Sequence, residues 1–247
     1  MKKTLLFVLT LSATMVFQAC HKPQQVIGVT TEAIAIDASL DSIQDTTYLA
    51  QLAPIQADLA REMDVQIGYA PEDLYVAGPE CPMLNWASDA LWEAAKKLYD
   101  GQVDIAIVNM GGMRCAWSKG PITRRSVFEL MPFDNRLVVL TLKGSDIIDL
   151  CQSFAQYGGQ GVAGMRVKIV DGQLADVQVG GKAINPEALY HVATSDYLSG
   201  GADHMDALTR YSELWDSDAL IRDLYLKIVS EQDTVRSAVD GRMTMYP

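Results

Sequence analysis

Residues 103–114 read Val-Asp-Ile-Ala-Ile-Val-Asn-Met-Gly-Gly-Met-Arg and decide the fold of this chain. The first six residues are mostly apolar and β-branched, which predicts a buried strand. Asn109 and Arg114 then bracket a pair of glycines, so bare backbone lies beside an amide and a fixed positive charge. Ligands of α/β proteins commonly bind at the carboxyl ends of strands, and this segment is therefore a candidate binding loop. Taken alone, a glycine turn with one Arg is a weak signal and is more often a tight exit from a strand.

Helical and strand-like periodicities alternate on both sides of this segment. Apolar residues recur at helical spacing after Thr46, Pro82 and Gly144. Asp45 or Thr46 is expected to cap the first of these helices, and Asp216 or Ser217 to cap a last one. The predicted strands are 65–69, 103–108, 137–142, 165–170, 174–179, 190–194 and, at an edge, 243–246.

The turn Asp171-Gly172 lies between two of these strands and is a strong hairpin signal. Because hairpins recur among interleaved helices, the sequence favours an α+β fold with mixed sheets and packed helices over a doubly wound parallel sheet.

The N-terminal residues predict export and lipidation. Residues 4–17 are largely apolar, follow two lysines and are too few to span a membrane, as in a secretory signal. Cys20 stands where a bacterial lipoprotein carries its lipid. We therefore expect a signal peptide at 1–19, a tether at 20–26 and one domain at 27–247, with membrane attachment through lipid alone. The alternative is a plain secreted protein in which Cys20 is incidental.

Composition argues against several classes of function. The formal net charge of −11 argues against nucleic acid as a partner. The cysteines beyond Cys20 are odd in number and lack C-x-x-C spacing, which argues against a disulfide framework and against structural zinc. The chain has three histidines, with no cluster of His and carboxylate at metal-ligand spacing. We therefore expect no metal site, no cofactor and no catalytic residue in this chain.

Two further loops carry side chains suited to a nucleoside. Phe133 lies in a turn before a strand, where its ring could stack on a planar base; the alternative is a Phe packed into a local cluster. Tyr197 precedes Asp203 across a glycine-rich loop, and a carboxylate beside a turn suits paired ribose hydroxyls. The alternative there is an Asx-type turn in which Asp203 caps the next helix. A third motif, at 80–85, is most simply a helix start with Pro82 at the first position.

In their order along the chain, these motifs resemble the C-terminal domain of 5'-nucleotidases. The resemblance runs from about Glu80 to Asp203 and continues more weakly from Ile27 to the C-terminus. The segments that carry it are 109–114, 122–123 with 128–129, 131–133, 164–166 and 193–198 with the glycine loop that follows.

In that family, the C-terminal domain holds the nucleoside part of a nucleotide, with the base between two aromatic rings. The resemblance implies that Phe133 and Tyr197 are the rings, with Tyr197 where the family usually has Phe. It implies that Asn109, Arg114 and Asp203 contact the base, ribose or phosphate. The chain departs from the family at three other places: Ala77 and Pro79 lie where some members have a further binding Arg, and Leu84 replaces a usual Gly.

Full-length family members begin with a metallophosphatase domain in which His, Asp and Asn hold two metals. Only His191 and His204 fall in the expected domain here, too few for such a site. The sequence therefore predicts a nucleotide-recognition domain of a split 5'-nucleotidase, lipid-anchored in the cell envelope on the periplasmic or outer-membrane side. A separate metallophosphatase chain would carry the divalent metals. The alternatives are a self-sufficient hydrolase that uses unrecognised carboxylates, and a degenerate scaffold that binds only a partner protein.

Overall fold

The computed structural model describes residues 28–40 and 43–247. The predicted signal peptide, Cys20 and the tether lie outside these residues. The chain divides into two compact units, Met1–Ala50 and Gln51–Pro247. In the first, the described residues form a 3₁₀ turn at Ala38–Leu40 and the start of helix α1 (Thr46–Met63). Asp45 caps this helix as predicted, because its Oδ1 accepts a hydrogen bond from the Tyr48 backbone N–H at 3.0 Å.

The helices and strands that follow α1 alternate along the chain, with hairpins among them. In chain order they are β1 (Gln66–Ala70), α2 (Pro82–Leu98), β2 (Ile105–Val108), β3 (Gly120–Thr123), α3 (Arg124–Leu130), β4 (Arg136–Lys143), α4 (Gly144–Tyr157), β5 (Gly161–Ala163), β6 (Met165–Val170), β7 (Gln173–Val179), β8 (Lys182–Ala183), β9 (Leu189–Ser195), α5 (Asp196–Ser199), β10 (Glu213–Leu220), α6 (Ile221–Gln232) and β11 (Met243–Tyr246). Every helix within residues 28–40 and 43–247 is too short or too polar to span a bilayer.

The strands form mixed sheets, which confirms the predicted α+β class. The largest sheet has the order β10-β4-β9-β2-β5, in which β2 runs parallel to β9 and the other neighbours are antiparallel. A second sheet has the order β11-β6-β7-β8, with β11 as a parallel edge strand, and β1 pairs with β3. Asp171 and Gly172 both have positive φ, at 50° and 70°, as the predicted hairpin between β6 and β7 requires.

The five-stranded sheet has a core on each face. Successive side chains of a strand point to opposite faces. Ala106 and Val108 of β2 accordingly join the apolar cluster that includes α2 and α6, whereas Ile105 and Ile107 join the cluster that includes α4. Because both faces are covered, the strand reads as a continuous apolar run, and this is why it can be recognised in the sequence.

The prediction that Asp216 or Ser217 caps the last helix is wrong. Both residues lie in β10, which pairs with β4, and the helix begins at Ile221. The Asp216 carboxylate accepts from Arg136 Nη2 at 2.7 Å, and the Ser217 hydroxyl donates to the Leu137 carbonyl oxygen at 2.7 Å. Their polar groups are thus satisfied across the sheet, so they do not cap a helix.

Candidate functional site

A cleft of about 630 Å³ opens at one edge of the five-stranded sheet. Three segments meet there for a topological reason. The carboxyl ends of the parallel neighbours β2 and β9 lie at the same edge, and β4, antiparallel to β9, begins at that edge. All five residues predicted to bind substrate line the cleft. They are Asn109, Arg114, Phe133, Tyr197 and Asp203.

Asn109 is the buried member of this set, with 9% of its surface exposed. It directly follows β2 and leads into the 3₁₀ turn Met110–Gly112, in which the Gly112 N–H donates to the Asn109 carbonyl oxygen at 3.1 Å. The Met110 N–H donates to Gln160 Oε1 at 2.7 Å, which ties the turn to the segment before β5. Asn109 Nδ2 donates to Asp203 Oδ2. The predicted binding loop is therefore held from both sides.

Gly112 makes the position of the Asn109 side chain possible. A Cβ atom at residue 112 would lie 2.6 Å from Asn109 Oδ1, much closer than real contacts allow. We expect Gly112→Ala to displace the Asn109 amide and break its bond to Asp203. Because only a side-chain end must move, the free energy of unfolding should change by less than about 1 kcal/mol, while nucleoside affinity should fall about tenfold. Calorimetry measures the nucleoside affinity, and thermal unfolding of the purified protein measures the change in stability.

Gly200→Ala is the matched control for this substitution. A Cβ there meets only the Tyr197 carbonyl oxygen, at the ordinary distance of 3.5 Å, and the φ of Gly200 is −83°. Unchanged affinity in Gly112→Ala, or an equal loss in Gly200→Ala, would contradict the role given to Gly112.

Asp203 contributes a carboxylate from a left-handed backbone, with φ 54° and ψ 38°. Its Oδ1 accepts from the Tyr197 hydroxyl at 3.1 Å, and its Oδ2 accepts from Asn109. The alternative that Asp203 caps the next helix is not realised. The following 3₁₀ turn, Asp206–Arg210, has Met205 at its N-cap without a side-chain cap bond. The carboxylate instead lines the cleft.

Phe133 is half-buried against the apolar cluster of α2 and α6 and also borders the cleft. Phe133 is therefore packed into a local cluster, as one of its two interpretations predicts, and it also borders the cleft. Arg222 of α6 fixes its loop: Nη2 donates to Asp134 Oδ1 at 2.6 Å and Nη1 donates to the Phe133 carbonyl oxygen at 3.4 Å. The Arg222 guanidinium also lies 4.4 Å from the ring centroid of Phe128. Arg222 could not be recognised from the sequence, because it lies 89 residues from Phe133 and no local pattern links them.

Arg114 places an exposed cation on the cleft wall. Its guanidinium carbon lies 5.0 Å from the ring centroid of Phe133, and its backbone N–H donates to the Leu130 carbonyl oxygen at 2.9 Å. Within the part of the chain that the structure describes, no carboxylate forms an ion pair with it. The donors of Arg114 are thus available to an anionic or hydroxyl-bearing ligand.

Tyr197 supplies the second ring of the cleft and is half-exposed. The hydrogen bond to Asp203 and the charge of that carboxylate raise the pKa of the Tyr197 hydroxyl, and Arg114 opposes this shift. The ring contacts among residues 28–40 and 43–247 include none between Tyr197 and Phe133, so neither ring covers the other.

The motif at 80–85 has a structural role, as its simplest interpretation predicts. Glu80 Oε1 accepts from Asn85 Nδ2 at 2.7 Å and from the Asp240 N–H at 2.8 Å, and Glu80 Oε2 accepts from the Gly241 N–H at 3.1 Å. This carboxylate ties the start of α2 to the loop before β11. In residues 28–40 and 43–247, no group of three or more His, Cys, Asp or Glu side chains is placed to hold a metal ion.

Two known proteins are similar to most of this chain. The 5'-nucleotidase of Vibrio cholerae is 22% identical over 230 residues, which cover 88% of this chain and 40% of that protein. Protein UshA of Yersinia enterocolitica is 27% identical over 214 residues, covering 81% and 38%. The chain thus spans about two fifths of the length of these relatives.

A solved structure and a family model also relate the chain to 5'-nucleotidases. The structure of a 5'-nucleotidase precursor from Thermus thermophilus aligns with a TM-score of 0.71 and 26% identity, covering 81% of this chain and 42% of that one. The family model for the 5'-nucleotidase C-terminal domain matches residues 66–210, more than half of the chain. The protein therefore belongs to the family of 5'-nucleotidase C-terminal domains.

Proposed function

We propose that this domain recognises the nucleoside part of a nucleotide, as the substrate-binding component of a 5'-nucleotidase-type hydrolase of nucleotide catabolism. One observation carries the proposal: the two rings, the amide, the guanidinium and the carboxylate come from three separate segments and line one cleft. The volume of about 630 Å³ lies within the range of about 300–1,000 Å³ that is common for small-molecule sites.

Each group of the cleft has a defined task in this proposal. Phe133 and Tyr197 offer stacking faces to the base, and a stacked base contributes about 1–3 kcal/mol per aromatic contact. Asp203 accepts hydrogen bonds from the ribose hydroxyls, whereas Asn109 keeps Asp203 in place and borders the base. Arg114 provides donors for a phosphate oxygen or a hydroxyl.

We further propose that hydrolysis is performed by a separate metallophosphatase chain that carries the divalent metals. The support is that both histidines of the domain contact other side chains away from the cleft. His191 Nδ1 lies 3.8 Å from Asp104 Oδ2, and the His204 ring stacks on Tyr157 at 4.0 Å between centroids. Neither histidine lines the cleft. Anchoring of the chain in the cell envelope through lipid on Cys20 belongs to the same proposal.

Calorimetry of the purified chain with AMP, adenosine and a UDP-sugar tests the binding function. We expect saturable binding of at least one of these ligands and no phosphate release from nucleotides by the isolated chain. Absence of binding to all three would refute the proposal. Phosphate release that a chelator abolishes would instead favour a self-sufficient hydrolase. Capture of a metallophosphatase by a chain that binds no nucleoside would favour a protein-binding scaffold.

A further inference from the structure

The side chain of Tyr197 takes part in two features of the cleft at once. Its ring borders the cleft, and its hydroxyl donates to Asp203 Oδ1 at 3.1 Å, six residues further along the chain. A phenylalanine would provide the ring without this hydrogen bond. The Tyr197 hydroxyl therefore adds a hydrogen bond to Asp203 that base stacking does not require.

Asp203 needs such support because its backbone is strained. Asp203 and His204 have φ values of 54° and 62°, and two successive residues other than glycine seldom adopt this left-handed region. The carboxylate is held by one donor on each oxygen, Asn109 from the end of β2 and Tyr197 from α5. An ionised carboxylate has about four lone-pair positions, so each oxygen can still accept from a ligand. The two donors orient the group without saturating it.

The Tyr197 hydroxyl is suited to this task at neutral pH. Its hydrogen bond to Asp203, together with the carboxylate charge, raises its pKa, so it remains a donor. The same bond restricts rotation of the half-exposed ring. Orientation before binding lowers the entropy lost when a ligand is bound.

We propose that the Tyr197 hydroxyl is a positioning group that aims Asp203 at the vicinal diol of a ribose. The cleft consequently distinguishes ribonucleosides from 2′-deoxyribonucleosides through Tyr197 as well as through Asp203. This inference rests on the proposed nucleoside-binding function. It assigns Tyr197 a specificity role in addition to stacking.

Tyr197→Phe tests the inference, with dissociation constants of adenosine and 2′-deoxyadenosine measured by calorimetry. The wild type should prefer adenosine. In the variant, adenosine should bind about five- to tenfold more weakly, as expected when one orienting hydrogen bond is lost. The affinity for 2′-deoxyadenosine should change by less than about twofold, because the stacking ring remains. Tyr157→Phe is the matched control: it removes an exposed tyrosine hydroxyl that does not contact Asp203, and should leave both constants unchanged.

A double-mutant cycle separates positioning from a general structural effect. In an Asp203→Ala background, Tyr197→Phe should cause no further loss of adenosine affinity, since the group that it orients is gone. An equal loss of affinity for both nucleosides would leave the preference for adenosine unchanged. That result would overturn the positioning role but not the proposed nucleoside binding. Failure of the wild type to bind either nucleoside would instead refute the proposed function, and the positioning role with it.

Discussion

Replacing Phe133 and Tyr197 together by alanine is expected to abolish measurable binding of adenosine and AMP. Each ring contributes about 1–3 kcal/mol of stacking, or about five- to 150-fold in affinity. The double variant also loses the Tyr197 donor to Asp203 and the ring on which Arg114 lies. Each single variant should weaken binding by at least about fivefold. Calorimetry with both ligands measures these losses.

The controls for this prediction must separate binding from folding, because Phe133 also packs against the core. Thermal unfolding of each variant should show a single cooperative transition, so that calorimetry reports on folded protein. Tyr75→Ala is a matched control. Tyr75 is 48% exposed, close to the 50% of Tyr197, and does not line the cleft. Binding by the double variant within about twofold of wild type would rule out the two rings as the base site.

The resemblance pointed to five residues that line the cleft, but the topology that assembles them could not be obtained from local patterns. Asn109 and Asp203 lie 94 residues apart and meet because β2 and β9 are parallel neighbours, with Ile105 opposite Val192. Such pairing depends on contacts between distant segments, and a window of periodicity does not contain them. Strands β2 and β4 could be predicted because burial on both faces leaves continuous apolar runs, whereas β3, β5, β8 and β10 were not predicted.

The wrong helix-cap prediction and the unrecognised role of Arg222 have the same physical origin. Asp216 and Ser217 have the chemistry of helix caps, yet pairing with β4 gives their side chains partners across the sheet. Arg222 reads as an ordinary helix residue, yet its guanidinium holds the loop of Phe133. In both cases, a long-range contact determines what a locally ambiguous polar residue does.

Tyr225→Ala is expected to produce the largest loss of stability among the substitutions considered. Tyr225 of α6 is fully buried, its ring lies 5.1 Å from that of Trp86, and its hydroxyl donates to the Ala87 carbonyl oxygen at 3.1 Å. Removing a buried aromatic ring leaves a cavity between α2 and α6, and it lowers the free energy of unfolding by about 3–5 kcal/mol. A domain is stable by only about 5–15 kcal/mol, so the urea midpoint should fall steeply with little change in slope.

Tyr225→Phe separates the ring from the hydroxyl in this prediction. Burial raises the pKa of the hydroxyl well above its usual value, so the group is a neutral donor. Its removal should lower the free energy of unfolding by only about 1 kcal/mol.

Because α6 also carries Arg222, Tyr225→Ala should loosen the Phe133 loop and weaken nucleoside binding even in the fraction that remains folded. A loss below about 1 kcal/mol in Tyr225→Ala would show that the α2–α6 contact does not stabilise the fold. Full nucleoside affinity in a destabilised variant would show that the loop is held independently of α6.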